Sequence, residues 1–294
     1  VLNSHDADPF IELPRTFNRK ADAADGGISA PPWRVAHAYG QLLYYPARFS
    51  QTHIHLRHHL IGIEFDPGIV RIQLNAGPLI DTVVKSCSFY FVPAGSTIEV
   101  RKEHACEFIL ATFDPRLTKA LLPEPCAAVM AEGMVDDHLT TKALELRRHL
   151  LRGDNVSQMA TKLIHTAVTA LTRSYQDGLR PSAYPLSSGR IRRALDFIGD
   201  HYFKKISVED IADAVGGISP FHFAHTFKST LGQSPHQYLV EHKLYQARTL
   251  LTHTSTNLAE IAYSVGFSSQ AHMTETFSRR LGVTPAQVRR SPVA

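Results

Sequence analysis

The sequence predicts an α+β multidomain chain: an N-terminal domain of short strands with trailing helices, then a C-terminal domain built wholly of helices. Three observations carry this expectation. Apolar residues follow short strand-like runs up to about residue 113 and helical spacing beyond it. Residues 178–189 (GLRPSAYPLSSG) are loaded with Gly, Pro and Ser, the composition of a linker. Past that linker the chain repeats itself at an offset of fifty residues. At 294 residues there is room for about two hydrophobic cores. The expected divisions are an arm over 1–30, a strand-rich domain with helices over 31–177, the linker over 178–189 and a helical domain over 190–294.

Residues 1–30 are polar and rich in Asp, Ala and Gly, which reads as a mobile arm. Strand-like runs then fall at 35–39, 62–65, 70–74, 88–92, 97–101 and 108–113. Turn signals separate them, among them Asp66-Pro67-Gly68, Asn75-Ala76-Gly77-Pro78 and Pro93-Ala94-Gly95-Ser96. Short strands spaced in this way predict a small barrel or sandwich. Leu139, Ala143, Leu146 and Leu150 recur at helical spacing, as do Met159, Leu163, Ala167 and Leu171. Between the two sets, residues 152–155 (Arg-Gly-Asp-Asn) read as a helix stop and restart. This helical pair either forms a dimerisation face or packs on the strands.

The repeat is the most informative feature. Ile211 and Ala212 recur as Ile261 and Ala262, Val215 and Gly216 as Val265 and Gly266, Ser219 as Ser269, and His222 as His272. Thr226 and Phe227 return as Thr276 and Phe277, Leu231 and Gly232 as Leu281 and Gly282, Pro235 as Pro285, and Gln237 as Gln287. Each copy reads as one supersecondary unit. Ser207 with Asp210, and Asn257 with Glu260, are helix-start signatures. Gly216 or Gly266 permits a tight turn, and a second helix starts near Ser219 or Ser269 with Phe223 and Phe227, or Met273 and Phe277, turned inward. Helix, glycine turn, helix is the helix-turn-helix arrangement, whose second helix enters the DNA major groove.

Between the copies, Ser234 with Gln237 forms a capping box with Pro235 at the first helical position. The helix it starts is expected to run to about Thr252, with Tyr238, Leu239, His242, Tyr245, Gln246 and Leu250 partly at core spacing. About twenty residues make a rod near 30 Å. Successive major-groove faces lie about 34 Å apart, so one chain can place two reading helices on one side of a duplex. The outward positions carry His222, His225 and Lys228 in one unit, and Gln270, His272, Thr274 and Arg279 in the other, types suited to base edges and phosphates. Charge agrees: residues 190–294 hold 12 Lys and Arg against 8 Asp and Glu, so the whole +4 excess lies there.

These residues resemble the AraC/XylS family of bacterial regulators. The resemblance rests on residues 247–251 (Ala-Arg-Thr-Leu-Leu), 261–267 (Ile-Ala-Tyr-Ser-Val-Gly-Phe) and 277–285 (Phe-Ser-Arg-Arg-Leu-Gly-Val-Thr-Pro), and covers about 190–290. It implies a cytoplasmic regulator, commonly an activator, often a homodimer, that binds double-stranded promoter DNA and works with RNA polymerase. It places base contacts on Phe221, Ala224 and His225, and on Gln270, Ala271, Thr274 and Glu275. Phosphate contacts fall on Ser219, Lys228, Ser269 and Arg279, helped by helix N-termini. Three departures stand out. Gly216-Gly217 makes the first turn look one residue longer than usual. His225 and Glu275 stand where an Arg commonly reads a base; a carboxylate there can accept from cytosine N4 but cannot donate to guanine. Lys243 replaces an Arg on the linking helix and loses bidentate capacity. The strand-rich domain is similar, more distantly, to cupin-like sensing barrels, with residues 92–95 (Val-Pro-Ala-Gly) as its best motif. That implies a small-molecule effector, of unassigned chemistry, bound in a barrel and altering dimer geometry or freeing the DNA-binding units.

The competing reading is a cupin-type metalloenzyme fused to a helical interaction module. His53 and His55 alternate on a strand and share one face, and His58 and His59 follow. A cupin metal site would want a nearby acid and a later His; the next acid is Glu64, and Ile98 stands where the later His would be. No nucleophile–base pair or phosphate loop is evident, so neither catalysis nor a cofactor is expected. Cys87, Cys106 and Cys126 are odd in number and widely spaced, which predicts reduced thiols, the first two in strand-like core stretches. No apolar run approaches the roughly 18 residues of a membrane span, and the N-terminus lacks a basic start followed by an apolar stretch, which predicts a cytoplasmic chain with no membrane partner.

Overall fold

The computed structural model describes residues 11–12, 33–48, 51–102, 104, 106–115, 131–177 and 188–290. The expected arm, apart from residues 11–12, lies outside the described residues, as do most of the expected linker (178–187) and Cys126. The chain divides into two compact units. One holds the described residues up to Phe65 with Ile69–Thr140 and Ser157–Ser182; the other holds Asp66–Gly68, Thr141–Val156 and the described residues from Ala183 onward.

The first unit consists of strands β1 (Ile11–Glu12), β2 (Trp33–His37), β3 (Gly40–Arg48), β4 (Gln51–Leu56), β5 (His59–Glu64), β6 (Gly68–Leu74), β7 (Ile80–Val84), β8 (Ser88–Val92), β9 (Thr97–Lys102), β10 (Cys106–Phe113) and β11 (Ala131–Met134). They form a five-stranded sheet, ordered β1-β4-β9-β6-β7, and a six-stranded sheet, ordered β11-β8-β5-β10-β3-β2. β10 pairs antiparallel with both β3 and β5, and β9 with both β4 and β6. Closure requires every strand to bond two neighbours. Here β1 and β7 end one sheet, and β11 and β2 end the other. Of the expected barrel or sandwich, the described residues therefore form two open sheets and not a closed barrel.

The pleat explains the packing. In β4, Ile54 and Leu56 are buried while His53 and His55, which alternate with them, are exposed. β5 and β10, central in the larger sheet, are buried along their whole lengths, polar residues His59, Glu64, Glu107 and Thr112 included. Ile54, Leu56 and Ile98 from the smaller sheet meet Leu60, Val92 and Leu110 from the larger. Buried polar pairs accompany this core: Tyr44 donates to Glu107, and Lys102 Nζ donates to both carboxylate oxygens of Glu64 at 2.7 and 2.6 Å and lies 3.5 Å from the Phe108 ring centre. Cys106 is buried in β10 as expected. Cys87 is not in a strand: it occupies the turn before β8 with φ 56° and is half-buried. Neither thiol forms a disulfide among the described residues.

The helical pair expected after the strands splits between the units. α1 (Asp137–Arg152) ends at Gly153, whose φ of 78° breaks the helix, and α2 (Ser157–Gln176) follows. Leu139, Ala143, Leu146 and Leu150 are all buried, as their spacing requires. α2 packs against β2 and β11 within the first unit, where Thr161 Oγ1 accepts from the backbone N–H of Ala38 at 3.2 Å. Residues 141–152 of α1 belong to the second unit.

The second unit continues with α3 (Ser188–His201), α4 (Val208–Ala214), α5 (Pro220–Leu231), α6 (Pro235–His253), α7 (Leu258–Ser264), α8 (Gln270–Leu281) and α9 (Pro285–Arg290). Among the described residues no helix is long and apolar enough to cross a membrane.

Candidate nucleic-acid interface

Each repeat folds as two short helices around a turn, and the caps are those the sequence carries. Ser207 Oγ accepts from the Asp210 N–H, and the Asp210 carboxylate accepts from the Ser207 N–H at 2.7 Å, a complete capping box. Those bonds hold the exposed Asp210 carboxyl below its ordinary pKa. In the second unit Asn257 Oδ1 accepts from the Glu260 N–H at 2.8 Å. Ser219 and Ser269 cap α5 and α8 by accepting from the backbone N–H of His222 and His272. Both helices then end on a left-handed glycine, Gly232 (φ 80°) and Gly282 (φ 71°).

α6 begins with the capping box of Ser234 and Gln237 and with Pro235 in the first turn. Its 19 residues span about 28 Å at the α-helical rise. Its core is shifted from the expected set: Tyr238 and Leu239 are buried, His242, Tyr245, Gln246 and Leu250 are only half-buried, and Leu244, Ala247 and Leu251 supply the rest.

The two second helices present the same surface. Residues 223, 226 and 227 are buried, 224 is half-buried, and 221, 222, 225, 228 and 229 are exposed; residues 271–279 repeat this position for position. Phe223, Phe227, Met273 and Phe277 have no exposed surface. On a helix, positions 221, 224, 225 and 228 share one face, as do 271, 274, 275 and 278. That brings together Phe221, Ala224, His225 and Lys228 on α5, and Ala271, Thr274 and Glu275 on α8. Gln270 and His272 lie at the exposed start of α8, His222 at that of α5, and Arg279 one position past the face centre. Phe221 is 86% exposed, the most exposed large apolar side chain in the described chain.

The spacing identifies a residue that reading by type passed over. The counterpart of Lys228 is Ser278, not Arg279, whose counterpart is Ser229; the fifty-residue offset was the available signal. Arg279 Nη1 instead donates to Glu275 Oε1 at 3.4 Å, one turn away, with both side chains mostly exposed. So long and open a pair contributes little to stability and leaves the carboxylate open to other partners.

Three expectations change. The first turn is not longer than the second: Val215 to Ser219 matches Val265 to Ser269 residue for residue. Gly217 is a replacement for Phe267, not an insertion, and Gly216 and Gly217 both take positive φ (108° and 69°) where the second turn has Gly266 alone (φ 80°). Phe267 is 5% exposed and meets the His272 ring edge-on at 5.3 Å, and His272 Nδ1 lies 2.9 Å from Ser268 Oγ. His272, expected to face DNA freely, is thus also tied to the turn. Lys243, half-buried, donates from Nζ to the Gly266 carbonyl at 2.7 Å, so it fastens the second turn to the linking helix. Burial lowers its pKa from the usual lysine value.

The histidines that suggested a metal scatter. His53 lies 3.9 Å from Glu99 and His55 3.1 Å from Thr97 Oγ1, both on the exposed side of β4. His59 turns inward between Phe91 and Phe113, and its Nδ1 accepts from the Ala94 N–H at 3.1 Å. Burial, aided by His58, lowers its pKa to about 4, which keeps the ring neutral as that bond needs. Among the described residues no group of three His, Cys, Asp or Glu side chains is placed to hold a metal ion.

Comparison with known proteins agrees with the helical unit. Residues 211–291 match the helix-turn-helix domain family model. The lactose operon transcription activator of Staphylococcus xylosus is 44% identical over 75 residues, which are 26% of this chain and 26% of that protein. The HTH-type transcriptional regulator YdeC of Bacillus subtilis is 34% identical over 80 residues, 27% of each chain. The matched region thus spans about a quarter of the length of these relatives. A solved structure of a transcriptional regulator from Chromobacterium violaceum, described as AraC-type DNA-binding domain-containing, is 31% identical and covers 35% of this chain and 94% of that one, with a TM-score of 0.33. Residues 211–291 therefore carry a helix-turn-helix domain of the matched family, similar to the corresponding stretches of these transcription regulators.

Proposed function

We propose that this chain is a sequence-specific DNA-binding transcription regulator, an activator, controlled by a small-molecule effector bound in its strand-rich unit. The observation that carries the reading is the duplicated surface. Two helices with one burial pattern each turn a short row of base-reading and phosphate-binding types outward, and the rod joining their units is close to one groove repeat in length. The basic excess confined to residues 190–294 supplies the electrostatic attraction that duplex binding requires.

In this reading Phe221, Ala224 and His225 read bases under the first unit, and Gln270, Ala271, Thr274 and Glu275 under the second. Ser219, Lys228, Ser269 and Arg279 hold phosphates, with His222 and His272 at the helix starts. The apolar interior between the two sheets is the place for the effector, and a homodimer acting with RNA polymerase is the working form. A tenfold effect of the effector on promoter affinity needs only about 1.4 kcal/mol of differential binding.

The test is a salt-titrated binding assay of the full chain on DNA flanking its own gene, with scrambled DNA of equal length as control. Tight binding to the flank that weakens steeply with salt is expected. Equal, weak binding to both duplexes would count against a specific regulator of that locus, and no binding to either would overturn the DNA reading.

A further inference from the structure

The duplicated reading helices have a support that lies outside both repeats. Residues 141–156, which precede α2 in the chain, belong to the compact unit of the C-terminal helices. α1 ends with Arg152 against the cap of the second reading helix: Nε and Nη2 both donate to the Gly282 carbonyl, at 3.2 and 2.8 Å. One turn earlier the Arg148 stem lies across the same residue, so that a Cβ at position 282 would meet its Cγ and Cδ at 2.4 Å. Gly282 closes α8 with φ 71° and donates its own N–H to Ser278 at 3.0 Å. The last carbonyls of a helix lack intrahelical donors and form the negative end of its dipole, so two cationic side chains at this point satisfy both needs. Ala143, Leu146, Leu150 and Leu151 are buried and seat the helix that carries them.

We propose that α1 is a brace for α8 and that Arg152 is a positioning residue for the bases read by the second unit. This rests on the reading of α8 as a groove-binding helix. Thr274 and Glu275 ride on one short rigid helix, so its C-terminal anchor sets where they meet the base edges.

The test uses the full chain as wild type, Arg152→Ala and Arg152→Lys, with thermal unfolding to confirm that each folds. Two readouts are combined: amide hydrogen exchange at Gly282 and Val283, and binding-site selection from a randomised duplex pool. Arg152→Ala is expected to speed exchange at those amides and to relax base discrimination under the second unit by roughly two- to fivefold, the scale of a charge at a helix terminus. The half-site of the first unit stays unchanged, and Arg152→Lys recovers part of the loss. Unchanged exchange and selection in Arg152→Ala would overturn the proposal, as would equal relaxation of both half-sites, which would mark Arg152 as a general phosphate contact. Faster exchange in the variant with no site selected even by wild type would uphold the brace and overturn the DNA reading instead.

Discussion

In the first turn two successive glycines, Gly216 and Gly217, carry the reversal with φ of 108° and 69°, and Arg193 Nη2 donates to the Val215 carbonyl at 3.2 Å. In the second turn Gly266 does this once, and the next position is Phe267, buried against His272. At that second turn Lys243 donates to the Gly266 carbonyl and Ser268 meets His272, and at the far end of α8 Arg152 donates to the cap at Gly282. The two units share a frame and differ in which contacts hold it. The difference extends to the reading face. The first shows an exposed phenylalanine and histidines with Lys228; the second shows Gln270, Thr274 and a Glu275–Arg279 pair. The buried positions repeat at one spacing while the turn and the exposed face differ, so that the proposed DNA reading pairs a more apolar reader with a more polar one.

The comparison can be broken most severely at the core. Phe227→Ala and Phe277→Ala, at equivalent fully buried positions, should each cost about 3–5 kcal/mol, measured by denaturant unfolding of the full chain. A cost near zero at either site would show that the repeat does not share one packing plan. Phe267→Ala should cost about 3 kcal/mol, at the low end for a buried aromatic because it packs beside a turn. Hydrogen exchange should rise in the first turn of α8 and stay level in α5. If both helices loosen together, the units are not independently held.

Phe221→Ala should weaken binding to a selected duplex about tenfold with no loss of melting temperature, since an exposed ring adds nothing to the core and suits a thymine methyl. Ala271→Gly at the matching position should change affinity much less; equal effects would remove the asymmetry between the faces. Lys243→Met keeps the stem but loses the bond to Gly266, and should destabilise the chain by about 1 kcal/mol in thermal unfolding. Glu275→Gln should alter stability by less than about 0.5 kcal/mol yet change base preference under the second unit alone. An unchanged selected motif would move Glu275 away from the bases.

Much of this was legible in residues, and the gaps have physical causes. The repeat, its caps and its inward phenylalanines follow from spacing and cap chemistry, which act locally. The turn was misread because Gly216-Gly217 looks like an insertion against a pattern with one glycine; the chain's own second copy shows that Gly217 occupies the place of Phe267. In the strand-rich unit β8 was read to its true ends, whereas β3 escaped because Pro46 interrupts a Leu and Tyr run, and β4 because its alternation is carried by histidines. That alternation, read as a ligand pair, is the pleat of a strand whose other face is Ile54 and Leu56. Whether strands close into a barrel depends on pairing between distant edges, which no local pattern encodes. The ties from Lys243 and Arg152 are long-range for the same reason: a cation's partner 23 or 130 residues away leaves no mark on its neighbours.

The central claim, that two unlike helices read DNA from one frame, is tested most directly by binding-site selection with the full chain. A motif of two short blocks about 10–10.5 base pairs apart, centre to centre, is expected, with affinity that falls steeply as salt rises. A single uninterrupted block, or enrichment of no sequence at all, would contradict the account.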